Sequence, residues 1–119
     1  MHSEGIQSGE LKHGPLALVD QYCKMILFMT RDATYKNSKT AANQIISRKG
    51  KPIIVCETGD SEAREFAVGG QCIEVPATVP SLQGIISVVP MQLLSYHLAT
   101  LRGCNVDCPR NLAKSVTVQ

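Results

Sequence analysis

The chain has 119 residues, enough for one hydrophobic core and not two. Hydrophobic residues make up 44% and charged residues 18%, which excludes the disordered and fibrous classes. Twelve Lys and Arg against ten Asp and Glu leave a formal net charge of +2, and the aromatics are three Tyr and two Phe, so neither a nucleic-acid partner nor a membrane-surface role is expected.

The opening residues carry Glu4, Gln7, Glu10 and Lys12 and are too polar for a signal peptide. The run Glu10-Leu11-Lys12-His13-Gly14-Pro15 then sets an acid, a base, an imidazole and two backbone punctuators side by side. Histidine is the side chain whose unperturbed pKa lies near neutrality, so this residue type can take and return protons, and Gly14 and Pro15 place His13 at a loop or helix entrance. A solvated turn accounts for the same residues.

Residues 24–30 form an apolar run bounded by charge, the pattern of a strand buried on both faces. Residues 34–49 follow with helical spacing: Ala41, Ala42, Ile45 and Ile46 on one face, Lys36, Lys39, Arg48 and Lys49 on the other, and Gly50 as the stop. A second buried strand is expected over 52–56, then a short helix capped by Asp60 or Ser61 and running through Val68. Residues 71–75 read as a third strand ended by Pro76. An uncharged helix spans about 81–102, with Pro90 a kink and Gly103 its end. It contains Gln83, Gly84, Ser87, Gln92, Ser95, His97 and Thr100, which suits burial inside a protein better than lipid. Strand and helix alternate three times, so the expected fold is α/β: a parallel sheet with helices on both faces and an extended C-terminal tail. Three parallel strands leave two bare edges, and the apolar helix is too greasy for the surface of so small a domain. Both features point to a unit that packs against something more.

The cysteines are Cys23, Cys56, Cys72, Cys104 and Cys108, an odd number at irregular spacing, read as reduced thiols of a cytosolic protein. Cys104 and Cys108 with His97 offer three zinc ligands without zinc-site spacing; His97 among Leu94, Leu98 and Leu101 also reads as a packing histidine. Near the C-terminus Lys114 stands between Ala113 and Ser115. A confined Lys can lose its proton and attack a carbonyl to give a Schiff base, whereas a solvated surface Lys is the plain alternative. Phosphate-loop, Gly-x-Ser-x-Gly and His-Glu-x-x-His patterns are absent from the sequence.

The two termini carry a resemblance. Ser8-Gly9-Glu10-Leu11-Lys12-His13-Gly14-Pro15-Leu16-Ala17-Leu18 and Pro109-Arg110-Asn111-Leu112-Ala113-Lys114-Ser115-Val116-Thr117-Val118 resemble the two signature stretches of the isomerase part of the glutamine:fructose-6-phosphate amidotransferase (glucosamine-6-phosphate synthase) family. Between them, Pro90-Met91-Gln92-Leu93-Leu94-Ser95-Tyr96-His97-Leu98-Ala99 is similar to that family's penultimate helix. The resemblance implies a sugar isomerase (SIS) fold, a flavodoxin-like layered α/β structure. It implies that residues 1–103 are the second SIS domain, truncated at its N-terminus, and that 104–119 are the catalytic tail. The complete family enzyme adds a glutaminase domain and a first SIS domain, acts as a homodimer through its SIS domains, and converts fructose 6-phosphate and glutamine into glucosamine 6-phosphate and glutamate. No cofactor or metal is implied, and the expected location is cytoplasmic.

Carried over residue by residue, His13 matches the histidine that contacts the sugar, assists ring opening and reaches the partner subunit's site. Lys114 matches the lysine that condenses with the open-chain ketose, and Ala113 lines the sugar site with its backbone. The family's nucleophilic cysteine, its Ser- and Thr-rich phosphate loops and its proton-moving glutamate have no counterpart here; Glu4 and Glu10 do not occupy the glutamate's position. Cys23-Lys24, Pro80-Ser81 and Gln119 depart from the family pattern, the last removing a carboxylate near the catalytic tail. The alternative function is a non-catalytic, regulatory SIS module that binds a phosphosugar or a related subunit.

Overall fold

Aliphatic runs too short for a helix, each bounded by charge, Gly or Pro, form the three strands. In the computed structural model, which describes residues 3–108, these are β1 (Ile26–Met29), β2 (Ile53–Glu57) and β3 (Cys72–Val75). All pair in parallel in the order β1-β2-β3, with Leu27 opposite Ile54 and Ile54 opposite Cys72. Parallel neighbours need crossovers, which α1 (Tyr35–Ser47) and α2 (Ser61–Glu65) supply. A longer helix, α3 (Pro80–Leu101), follows β3.

The period-2 alternation of the strands sorts their side chains. Leu27, Met29, Ile54 and Cys56 lie on one face and join Ala41, Ala42 and Ile45 of α1 and Ala63 of α2 in a single buried cluster. Met29 and Ile54 are fully enclosed, and each such side chain contributes about 1.5–3 kcal/mol. On the other face Val55 is buried while Ile26, Phe28, Ile53 and Ile73 are half-buried. The expected parallel sheet with its helices is therefore present. The described residues fall into two compact units, divided between Ser87 and Val88.

Several local expectations need correction. The stop of α1 is not a left-handed Gly50: the helix ends at Ser47, and Lys49 takes the positive φ of 63°. Gly50 is required for a different reason, because a Cβ there would lie 2.7 Å from Ile45 Cγ2 and 2.9 Å from Met25 Cε. The helix after β2 ends at Glu65 rather than Val68, and β2 runs on to Glu57. Asp60 is its N-cap, as expected, accepting the Ala63 N–H at 3.1 Å. Gly103 closes α3 with φ 67°, and the Cys104 N–H reaches back to Ala99 O, which satisfies the last turn. Pro90 sits inside a helix that continues past it.

Candidate functional site

The segment around His13 is two consecutive 3₁₀ helices, Ser8–His13 and Pro15–Leu18, joined at Gly14. Gly14 has φ 142°, a backbone conformation that side-chain-bearing residues avoid, and Pro15 opens the second helix where its missing N–H does no harm. Leu11 is buried and belongs to the core cluster, with Leu16 packed against it. The Ser8 hydroxyl shares a 3.3 Å hydrogen bond with that of Ser38, a buried residue of α1. These contacts fasten the segment to α1 and leave His13 exposed at the end of its helix. Beside it, Ser8, Lys12, Asn37, Thr40 and Gln44 line a polar groove of about 220 Å³.

The carboxyl ends of the strands hold a second polar arrangement. Asp60, three residues after β2, is almost wholly enclosed yet ionised. Its carboxylate accepts from Arg31 Nε at 3.0 Å, Arg31 Nη2 at 2.7 Å, the Tyr35 hydroxyl at 2.8 Å and the Ala63 N–H. Burial alone would push its pKa up, but the hydrogen bonds from Arg31, Ala63 and Tyr35 and the guanidinium charge outweigh that, and the net direction is down. Tyr35 moves up, first through burial and then through its bond to Asp60. Arg31 and Lys39 both lie over the Tyr35 ring, and Lys39 pairs with Glu62 at 2.7 Å. In the loop between β1 and α1, Asp32 accepts from the Thr34 and Thr30 hydroxyls and the Thr34 N–H, which also lowers its pKa.

Thr30, Arg31, Asp32, Glu57, Thr78 and Gln83 surround a cleft of about 90 Å³ above the strand ends. Ligands of open α/β sheets bind in such a place. Here, however, the guanidinium is committed to Asp60, and Asp32 and Glu57 add negative charge, so the cleft does not suit a phosphate. Gln83 is buried and satisfied by the Thr78 N–H and Pro76 O. The arrangement ties the loops after β1 and β2 together.

The Arg31–Tyr35–Asp60 node was not legible beforehand, because the sequence marks Asp60 only as a helix cap. Of the residues expected to carry chemistry, His13 alone lies within the described part; Ala113 and Lys114 lie outside the described residues. His97, Cys104 and Cys108 do not assemble a zinc site, since among the described residues no three His, Cys, Asp or Glu side chains come together. Cys56 and Cys72 meet across β2 and β3 with their sulfurs 3.4 Å apart as free thiols. Burial and then the bond to Cys72 push the Cys56 thiol up to about 12, which keeps it protonated and unreactive.

The sequence model described as "SIS domain" matches residues 1–102. The chain belongs to the SIS domain family. Over all 119 residues this SIS chain is 56% identical to the "Glutamine--fructose-6-phosphate aminotransferase [isomerizing] 2" of Mus musculus and 50% identical to the enzyme of similar name from Saccharomyces cerevisiae. In both cases it spans 17% of the relative's length. Among solved structures, the C-terminal domain of glucosamine-fructose-6-phosphate aminotransferase from Francisella tularensis superposes with a TM-score of 0.80 at 32% identity. That match takes in 88% of this chain and 29% of the other. The SIS domain is thus homologous to the isomerase region of these aminotransferases, as the terminal signatures implied.

Proposed function

We propose that this SIS domain is part of the isomerase region of an enzyme that makes glucosamine 6-phosphate and glutamate from fructose 6-phosphate and glutamine. The observation that carries the proposal is identity of 50–56% to animal, plant and fungal aminotransferases across the entire chain, both terminal signatures included. The reaction needs a lysine amine that attacks the carbonyl of the open-chain ketose and expels water, giving an iminium that acidifies the neighbouring carbon. Lys114 is assigned that role, with Ala113 lining the sugar site. His13, exposed beside the Gly14 turn, is assigned proton transfer during ring opening, acting in the site of a partner subunit of a homodimer. Residues 1–103 are assigned to the SIS domain and 104–119 to the catalytic tail. The glutaminase domain, the first SIS domain and the proton-moving glutamate would come from the rest of a longer cytoplasmic polypeptide.

The test is an assay of the complete gene product with fructose 6-phosphate and glutamine. Formation of glucosamine 6-phosphate, and its loss in Lys114→Ala with glutamine hydrolysis retained, supports the assignment. Sugar-phosphate binding without turnover would instead identify a regulatory module.

A further inference from the structure

Cys56 and Cys72 have no role in the proposed reaction, yet the sheet brings them together. Ile54 stands opposite Cys72 and Cys56 opposite Glu74, so the two thiols lie one diagonal step apart on the same face of β2 and β3. Their sulfurs are 3.4 Å apart and both are free. Access is unequal. Cys56 is fully enclosed, whereas Cys72 is half-buried on β3, the last strand in the described sheet, where Ile73 and Glu74 are half-buried too. A metal does not account for the pair. Two sulfurs fall short of the four ligands of a structural zinc, and among the described residues no three His, Cys, Asp or Glu side chains come together.

We propose that Cys56 and Cys72 are an oxidation site, which a peroxide closes into a reversible disulfide between β2 and β3. The Cys72 sulfur, which solvent reaches, attacks one oxygen of hydrogen peroxide. The O–O bond breaks, Cys72 becomes a sulfenic acid, and the other oxygen leaves as water with the Cys72 proton. The Cys56 sulfur then attacks the Cys72 sulfur, the S–O bond breaks, and the hydroxyl leaves with the Cys56 proton as a second water. The two thiols lose two electrons and the peroxide gains them. Burial holds Cys56 protonated and away from the oxidant, so it reacts only with the electrophilic sulfur fixed beside it. Reversibility follows from the register. With strands about 4.8 Å apart and a rise of about 3.3 Å per residue, a diagonal step is about 8 Å between Cα atoms, longer than the roughly 7 Å that a bridge spans without backbone movement. The bond therefore draws the four-residue β3 toward β2, and a disulfide held in that way is readily reduced, the behaviour of transient cytosolic bridges.

The folded, complete gene product is treated with a molar excess of hydrogen peroxide, the remaining thiols are alkylated, and a tryptic digest is analysed without reduction. Trypsin cuts at Arg64, between the two cysteines. The expected result is a disulfide joining the Cys56 and Cys72 peptides, with loss of both free thiols in equal amount and their return after dithiothreitol. In Cys56→Ala, dimedone should trap a sulfenic acid on Cys72, and in Cys72→Ser, Cys56 should remain a thiol. The wild-type digest decides the matter even where a variant does not fold. Survival of both thiols, pairing of either with another cysteine, onward oxidation of Cys72 with Cys56 untouched, or a bond that dithiothreitol does not reduce overturns the proposal.

Discussion

Asp60 is the residue whose removal should loosen this domain most for the fewest atoms lost. Three kinds of contact end with Asp60→Ala. Loss of the cap on α2 costs about 1 kcal/mol. The hydrogen bond from the Tyr35 hydroxyl to the carboxylate is worth about 1.5 kcal/mol. Arg31 is 52% exposed and regains water when released, so it adds nothing to the sum. The total is about 2–3 kcal/mol for Ala. Asp60→Asn keeps an acceptor for the Ala63 N–H and loses the charge, at about 1 kcal/mol. Cys56 supplies the readout, because it is fully enclosed on β2 in the same cluster as Ala63. Its labelling by a thiol reagent, followed by peptide mass spectrometry in the complete gene product, reports opening of this sheet alone. At tenfold per 1.4 kcal/mol, labelling should accelerate roughly 30- to 150-fold in Asp60→Ala and about fivefold in Asp60→Asn. Changes within about twofold for both, the range of a neutral surface substitution, would refute the reasoning. Equal acceleration in the two variants would assign the effect to the charge and not the cap.

The 119-residue chain by itself should show no turnover of fructose 6-phosphate, with or without glutamine, and product above a no-enzyme control would contradict this. Gly70→Ala should destabilise more than Gly50→Ala in urea unfolding, because its Cβ would meet backbone, Pro52 O at 2.5 Å, while Gly50 meets chiefly movable side chains; about 1–3 kcal/mol is expected for overpacking. Asp60 and Asp32 have lowered folded pKa values, so their contribution is complete above the unfolded carboxylate pKa of about 3.9 and disappears as pH falls through the folded values; the urea midpoint should drop on that acid limb, less steeply in Asp60→Asn. Cys56 is raised to about 12, so its contribution is complete below about pH 8.5 and is lost as pH rises from there towards the folded value; Cys56→Ala should flatten this alkaline decline.

The strands were legible because each is a short apolar run with sharp polar boundaries, and α1 because Ala41, Ala42 and Ile45 recur at helical spacing. The errors lie where local signals compete with packing. Gly50 looks like a helix stop, but neighbouring side chains leave no room for a Cβ there, so glycine is fixed by crowding and Lys49 takes the left-handed turn instead. The 3₁₀ helices around His13 have too short a period to read, and only the docking of Leu11 and Ser8 on α1 explains them. The Asp60 node joins residues 25 to 29 positions apart, and no spacing rule connects them. The residues proposed to react, His13 and Lys114, were visible only through the terminal signatures, since an imidazole beside Gly-Pro and a Lys beside Ala are chemically unremarkable alone.

Borohydride reduction of the complete gene product in the presence of fructose 6-phosphate, followed by peptide mass analysis, tests the assignment of function most directly. Reduction fixes an iminium as a stable secondary amine on the lysine that formed it. The account predicts a hexose phosphate adduct on Lys114, absent in Lys114→Arg, whose guanidinium stays protonated and cannot condense. A label on Lys12 or any other lysine, or no sugar-dependent label at all, would contradict it.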